Sequence, residues 1–368
     1  MKNFWFGKRV LVTGADGFIG AQLIKKLLTN GAVVVATVRH NRPMSTLSLI
    51  KDDNEELLRP DFEFCNLLDY QEIRRLCDRH QIDTIFHIAA TAIVSEAANS
   101  PMSTIENNVM GTLNLLEVAR INNIPRVIIA STDKAYGDHA SDEAETLPYK
   151  ETYTLRGLDI YSASKVCADM IAQTYAFQFK LPVLITRCCN VYGPGDLNFT
   201  RLIPRTIMRL LAKQAPVINL GNEKVLREYL YIDDVVKAYL HLAENIETLY
   251  GDNNSNMPST GTETYGWPAF NISSYTTEET NDLSNCPNIR NVKDVIDTLR
   301  EKVSNIEAIT IPKPANFIEI PDQYLDASKI KQLGFTPEIP FNEGIDLTLA
   351  WYKKNYLKLE KVAYKYIH

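Results

Sequence analysis

Lys8-Arg-Val-Leu-Val-Thr13, followed at once by Gly14-Ala-Asp-Gly17-Phe-Ile-Gly20, is the stretch whose reading decides the fold. The first six residues read as a buried strand, and the three glycines stand three apart directly after it. Beyond them Phe18, Ile19, Leu23, Ile24, Leu27 and Leu28 recur with helical spacing until Asn30-Gly31 stops the helix. Strand, glycine turn and helix in that order build a site for a dinucleotide pyrophosphate. The glycines let the backbone approach the phosphates, and the amino end of the helix favours an anion. A tight turn without a ligand is the plainer reading, and the flanking strand and helix weigh against it.

Working outward, residues 32–38 form a second strand, 62–65 a third, 83–90 a fourth, 126–130 a fifth and 182–187 a sixth. Between them Asn99-Ser100-Pro101 offers a cap and a first-turn proline for a long helix that contains Gly111, and residues 161–180 form another. Strands alternating with helices over this length predict an α/β, Rossmann-like doubly wound parallel sheet. Beyond Cys188 the pattern changes, which predicts a smaller C-terminal substrate-binding domain. The expected division is 1–189 for an NAD(P)-binding domain and 190–368 for a substrate domain, with parts of about 232–300 returning to the first sheet. Residues 251–288, dense in Asn, Ser, Thr, Gly and Pro, read as an irregular excursion.

Composition excludes several classes. The chain has 368 residues, 45 of them acidic and 39 basic, and no basic run to track a phosphate backbone, so nucleic acid is not an expected partner. The longest apolar runs are too short to cross a bilayer, and the first residues pass straight into a strand pattern with no secretory signal. Six cysteines at 65, 77, 167, 188, 189 and 286 show no Cys-x-x-Cys pair and no metal-ligand spacing. Buried free thiols in a reducing cytoplasm are the expectation, with no metal.

Two strings carry the chemistry: Ser131-Thr-Asp-Lys-Ala-Tyr-Gly137 and Tyr161-Ser-Ala-Ser-Lys165. The first follows the fifth strand, so its polar side chains enter the crevice where open α/β sheets bind ligands. In the second, Tyr161 and Lys165 share one face of a helix, and a cation beside a phenol is expected to lower its pKa. That suits the tyrosine to take a proton from a sugar hydroxyl. Asp133 and Lys134 read either as an ordinary surface ion pair or as site residues. His87, inside an apolar strand, receives no chemistry. Where an NAD site usually carries an acid after its second strand, this chain reads Arg39-His-Asn-Arg42. A guanidinium there can meet a 2′-phosphate, so both NAD and NADP stay open.

With Asn108-Val-Met-Gly-Thr112, Asn190-Val-Tyr-Gly-Pro194, Arg227-Glu-Tyr229 and Trp351-Tyr352 added in order, the chain resembles the extended short-chain dehydrogenase/reductase family. More narrowly it is similar to the nucleotide-sugar 4,6-dehydratases, and the Asp133-Lys134 pair looks most like the CDP-glucose type. The resemblance implies oxidation at sugar C4, loss of water across C5 and C6, and return of the hydride to C6, with tightly bound cofactor recycled. It implies that Tyr161 takes the 4-hydroxyl proton, Lys165 tunes it and holds the nicotinamide ribose, and Thr132 bonds the same sugar oxygen. Asp133 would protonate the leaving 6-hydroxyl. Lys134 must either be desolvated until neutral or only stabilise the enolate. Gly14, Gly17, Phe18, Ile19 and Gly20 would hold the pyrophosphate. Arg39, Asn66, Leu67, Ala89 and Ala90 would line the rest of the cofactor, with Asn66 where Asp is common.

By the same resemblance Asn190 and Arg227 would meet the substrate diphosphate and Arg201 the nucleotide, with a rim salt bridge to Glu228 or Asp233 as the other reading of Arg227. A homodimer through the helices beginning near Pro101 and Tyr161 is also implied. The rival readings are a nucleotide-sugar 4-epimerase and, outside enzymology, a non-catalytic dinucleotide-binding regulator.

Overall fold

Seven strands form one parallel sheet, and their order places the crevice. The computed structural model describes residues 3–367 except 41–43, 52–55, 140–141, 143–144, 251–265, 277–282, 284–285 and 314–319. Asn41 and Arg42 of the basic loop, and most of the 251–288 stretch, therefore lie outside the described residues. The strands are β1 (Arg9–Thr13), β2 (Val33–Val38), β3 (Asp61–Phe64), β4 (Thr84–His87), β5 (Val127–Thr132), β6 (Val183–Cys188), β7 (Asn190–Tyr192), β8 (Val217–Asn219), β9 (Leu226–Tyr231), β10 (Ala269–Ile272), β11 (Ile289–Asn291) and β12 (Ile309–Ile311). The main sheet runs β10-β6-β5-β4-β1-β2-β3. The strand order reverses between β1 and β4, and a ligand crevice opens there outside the carboxyl ends. In register, Thr13 pairs with His87, and Thr132 pairs with Cys188.

The run Val-Val-Val-Ala-Thr-Val of β2 and the wholly buried β4 and β6 show why the sheet is central: β-branched side chains fill both faces. Helices Phe18–Thr29 and Ile232–Tyr250 cover one face, and Tyr70–His80, Gly111–Ile121 and Ile160–Phe179 cover the other. Two apolar cores follow, one on each side of the sheet.

Two expectations need correction. The segment around Ala269 is not irregular: β10 pairs with β6 in parallel and forms the edge of the main sheet. Its four buried residues make too short a signal to be read inside a polar stretch. The long helix after Pro101 runs to Ile121 as expected, but it widens to a π turn at Glu106–Met110 between Pro101–Ile105 and Gly111–Ile121. The wider turn accompanies an inward Asn108, which accepts from Thr91 N at 2.7 Å and donates to Ser164 Oγ at 2.8 Å. Ser100 makes no side-chain cap there.

A second lobe carries the sheet β11-β9-β7, the pair β12-β8, and helices Leu202–Leu211, Val292–Val303 and Phe341–Ile367 packed together. Arg227 and Gln323 also form a bridge, so residues from both ends of this lobe meet beside β9.

Candidate active site

The glycine turn is built for close approach. Gly14 has φ +68°, and a Cβ there would stand 2.8 Å from the backbone N and Cα of Ala89. A Cβ on Gly20 would lie 2.3 Å from the carbonyl oxygen of Gly14, so helix and turn pack without a side chain between them. Gly17 is the N-cap of Phe18–Thr29 and offers no side-chain cap, which leaves the first-turn amides of Phe18 and Ile19 for an anion. These features fit a dinucleotide pyrophosphate.

The other residues expected along the cofactor lie at the carboxyl ends of β2, β3 and β4. Arg39 follows β2, and its guanidinium donates to Asn107 Oδ1 at 3.2 Å. Asn66 Oδ1 accepts from Leu68 N at 3.2 Å, and Leu67 O accepts from Asn114 Nδ2 at 3.0 Å. Ala89 N donates to Thr13 Oγ1 at 3.2 Å, with Ala90 next in the chain. His87 lies beneath, 2.8 Å from Thr13 Oγ1 and 2.9 Å from Thr112 Oγ1. Thr112 gives its own proton to Asn108 O, so His87 Nε2 is the donor and Nδ1 the acceptor. Burial pushes this imidazole down to about 3, with Lys165 adding to the shift, so it is a neutral core histidine.

The second part of the site is the turn at the end of β5. Thr132 caps a one-turn helix, Asp133–Ala135, accepting from Lys134 N at 3.3 Å. Its hydroxyl donates to Asp133 Oδ1 at 3.0 Å and is hydrogen-bonded to the Tyr161 phenol. Asp133 is fully buried, and its Oδ2 has no hydrogen-bond partner. Lys134 Nζ lies 3.2 Å from Asp133 Oδ1 and 3.5 Å from Asn190 Oδ1 with its side chain 30% exposed. The pair is therefore an ion pair inside the crevice, and Lys134 is not the desolvated amine that one expectation required.

Tyr161 and Lys165 lie on helix Ile160–Phe179, capped by Asp159, which accepts from Ser162 N at 3.0 Å. Lys165 Nζ donates to Ala130 O at 2.7 Å, and burial pulls its pKa down to about 8, opposed by Asp169. The expected lowering of the phenol by this cation does not appear. Burial pushes Tyr161 up to about 12, against the hydrogen bond it shares with Thr132 and the charge of Arg201. The amine points to the main chain rather than to the phenol, and desolvation of the ring oxygen wins.

Arg201 is thus brought to Tyr161, with its Nη1 3.1 Å from Asp196 Oδ2. Asn190 donates through Nδ2 to Glu228 O at 3.2 Å. Arg227 donates to three main-chain carbonyls, Leu226 at 2.9 Å, Pro321 at 2.6 Å and Ile320 at 2.5 Å. Successive strand side chains leave on opposite faces, so Glu228 turns inward to Ser273 and Ser274 and is not the salt-bridge partner anticipated for Arg227.

Three residues that sequence reading did not single out belong to this neighbourhood. Asp169 and Arg187 form a fully buried ion pair beneath the turn, and Gln323 Nε2 donates to Asp133 O at 2.9 Å. Asp169 stands four residues after Lys165, a readable helical signal; Gln323, 190 residues from its partner, offers none. Ligand-type atoms of His139, Asp142 and Glu145 also come within 4.8 Å of one another. Arg156 Nη2 lies 2.6 Å from Asp142 and 3.3 Å from Glu145, so a guanidinium already balances these carboxylates.

A family profile described as the NAD dependent epimerase/dehydratase family matches residues 10–256. The chain belongs to that family. Membership makes it an NAD-dependent enzyme. This epimerase/dehydratase is similar to the dTDP-glucose 4,6-dehydratase of Salmonella typhimurium, 30% identical over 94% of this chain and 93% of that one. Among solved structures it is similar to UDP-glucose 4-epimerase of Thermotoga maritima, with TM-score 0.75, 26% identity and coverage of 95% and 99%. It is also similar to TunA, an NAD-dependent NDP-hexosamine 5,6-dehydratase, with TM-score 0.72, 28% identity and coverage of 94% and 98%.

Proposed function

We propose that this protein is a nucleotide-sugar 4,6-dehydratase, with CDP-glucose as the substrate to which the resemblance of the Asp133-Lys134 pair points. The observation that carries the reading is the carboxyl of Asp133: buried, with Oδ2 unpartnered, and fixed through Oδ1 to the threonine that touches the phenol. An epimerase needs the phenol but has no use for a second proton donor beside it.

When bound, the nicotinamide supplies an acceptor for hydride from sugar C4 that gives the hydride back at C6. Tyr161 takes the proton of the 4-hydroxyl as its phenolate, a form that burial opposes and that the positive charge of a bound oxidised nicotinamide would favour, and Thr132 holds the same oxygen. Lys165, anchored on Ala130, would hold the nicotinamide ribose through its remaining N–H donors. Asp133, a carboxylate beside Lys134 at rest, takes the C5 proton and passes it through Oδ2 to the departing 6-hydroxyl, so the C5–H and C6–O bonds break and water leaves rather than hydroxide. Lys134, ion-paired and partly exposed, suits stabilisation of the enolate oxygen better than removal of the C5 proton. Asn190 and Arg201 face the substrate diphosphate and nucleotide, while Arg227 braces residues 320–321 beside them.

Two further expectations belong to this reading. The exposed apolar side chains Met102, Met110, Ile160 and Met170 lie on the helices by which a homodimer would form. All six cysteines are free, which suits a reducing cytoplasm, but only Cys65, Cys77, Cys188 and Cys189 are buried as expected, Cys286 being half-buried and Cys167 exposed; no described helix is long and apolar enough to cross a membrane.

The test is to incubate the purified protein with CDP-glucose, dTDP-glucose, UDP-glucose, UDP-GlcNAc and GDP-mannose and to weigh the products. Loss of water with CDP-glucose is expected. Unchanged mass with altered C4 stereochemistry would make it an epimerase, and no turnover with any sugar would favour a regulator.

A further inference from the structure

The site is made of two parts that the chain supplies separately: the turn bearing Thr132, Asp133 and Lys134, and the helix bearing Tyr161 and Lys165. Within the site itself they meet through small contacts, the Thr132 hydroxyl on the phenol and Lys165 Nζ on Ala130 O.

Beneath both lies a pair of side chains with no exposure, Asp169 and Arg187. Arg187 points inward from β6, and its Nε and Nη2 donate to the two carboxylate oxygens of Asp169, each at 2.9 Å. This is the bidentate fork that gives a guanidinium-carboxylate pair its directional strength. Asp169 lies one helical turn beyond Lys165, on the same helix as the phenol.

The two members of the pair then reach the two ends of the turn. Asp169 Oδ2 accepts from Ser131 Oγ at 2.9 Å, the residue just before Thr132. Arg187 Nη1 donates at 3.0 Å to the hydroxyl of Tyr136, the residue just after Ala135, and lies over its ring at 5.1 Å. Tyr136 passes its proton on to Asn271 Oδ1 at 2.8 Å, on edge strand β10, and Arg187 Nη1 also meets Glu151 O at 2.9 Å. Gln173 Nε2 completes the carboxylate at 2.7 Å from Asp169 Oδ1. Burial pushes the Asp169 carboxyl up, but Arg187 with the bonds from Gln173 and Ser131 holds it below its usual range, so the pair is charged.

We propose that Asp169 and Arg187 are positioning residues, which bolt the helix carrying Tyr161 and Lys165 to both ends of the turn carrying Thr132 and Asp133. A buried pair of this kind adds little net stability over a well-packed apolar one. Its value here is geometric: removing either anchor lets the turn pivot relative to the phenol. The inference rests on the dehydratase reading, because it supposes that both halves act on one sugar.

The test compares wild type with Tyr136→Phe, which deletes only the hydroxyl joining Arg187 to Asn271, and with Asp169→Asn, Arg187→Met and Arg187→Lys. For Tyr136→Phe a fall in kcat of about tenfold with KM within about twofold is expected, since displacement well short of 1 Å suffices to misalign reacting groups. For Asp169→Asn the acidic limb of the kcat/KM profile is expected to move up by roughly half a pH unit, because Thr132 no longer holds the Tyr161 oxygen. Arg187→Lys, which keeps a charge on Asp169 but loses the fork, is expected to recover part of what Arg187→Met loses.

Melting temperature and cofactor affinity are read on each variant. If Tyr136→Phe and Asp169→Asn turn over like wild type, the proposal is wrong. It is equally wrong if activity falls only in proportion to folded protein while KM, the pH profile and the lysine variant show no pattern. Wild type that dehydrates no nucleotide sugar overturns the functional reading and this inference with it; an active wild type with indifferent variants overturns this inference alone.

Discussion

Replacing Asp133 by Asn separates the two chemical steps that the proposed reaction contains. The amide has the shape of the carboxyl, so the 3.0 Å contact from Thr132 to Oδ1 is preserved, as is burial. Two stability effects oppose each other: Lys134 loses its counter-charge, and a buried charge with one bare oxygen is removed. Lys134 is 30% exposed and can turn to water, so the net change is expected within about 1 kcal/mol. Catalysis is another matter. Loss of a general acid costs about 10²–10⁴ in rate, or about 3–5 kcal/mol, and this falls on the departure of the 6-hydroxyl. Oxidation at C4 feels only the exchange of a carboxylate for a neutral amide as the acceptor of the Thr132 bond, at most about 0.5–1.5 kcal/mol, or up to about tenfold. Rapid-quench mass spectrometry of a single turnover reads both, because a 4-keto sugar that keeps its 6-oxygen differs in mass from the dehydrated product. The oxidised, undehydrated sugar should accumulate in the variant and not in wild type. Equal slowing of the two steps would make Asp133 structural and remove the ground on which dehydratase is preferred to epimerase.

Tyr161→Phe should abolish turnover while cofactor stays bound, checked by product mass and by the absorbance of the washed protein. Lys165→Met should abolish turnover and yet stabilise the protein below pH 8. Burial lowers this lysine from 10.5 to about 8, so between those values the unfolded chain holds the extra proton and stability rises with pH. The penalty of burying the charge is fully present below pH 8, and the gain on its removal, up to about 3 kcal/mol, should fade as pH rises towards 10.5; a gain independent of pH would contradict this. Arg39→Ala should lower the ratio of NADP to NAD affinity by about tenfold if the guanidinium meets a 2′-phosphate. An unchanged ratio in titrations would show that Asn107 and solvent are its only business.

Much of the site is legible in the amino-acid sequence, and the reason is locality. The glycine turn, the Thr132 to Lys134 string and the Tyr161/Lys165 spacing each lie within one element or one turn, where backbone geometry fixes neighbours. Strand and helix alternation points to the parallel sheet for the same reason, since each buried strand is a run of apolar residues bounded by polar ones. What chain order alone does not decide is everything that depends on two distant segments meeting. Helical spacing predicts an acidic phenol, but Lys165 turns to Ala130, and burial sets the pKa. Arg227 is expected on phosphate or in an ion pair, and the returning segment at 320–321 claims it. β10 joins the main sheet from within a polar stretch because β6 needs a partner for its outer edge. Asp169 and Arg187, 18 residues apart and on different elements, become one object only when the helix is laid across the sheet. Local pattern names the reacting groups; desolvation and long-range contact, which have no period in a sequence, decide their protonation and hold them in place.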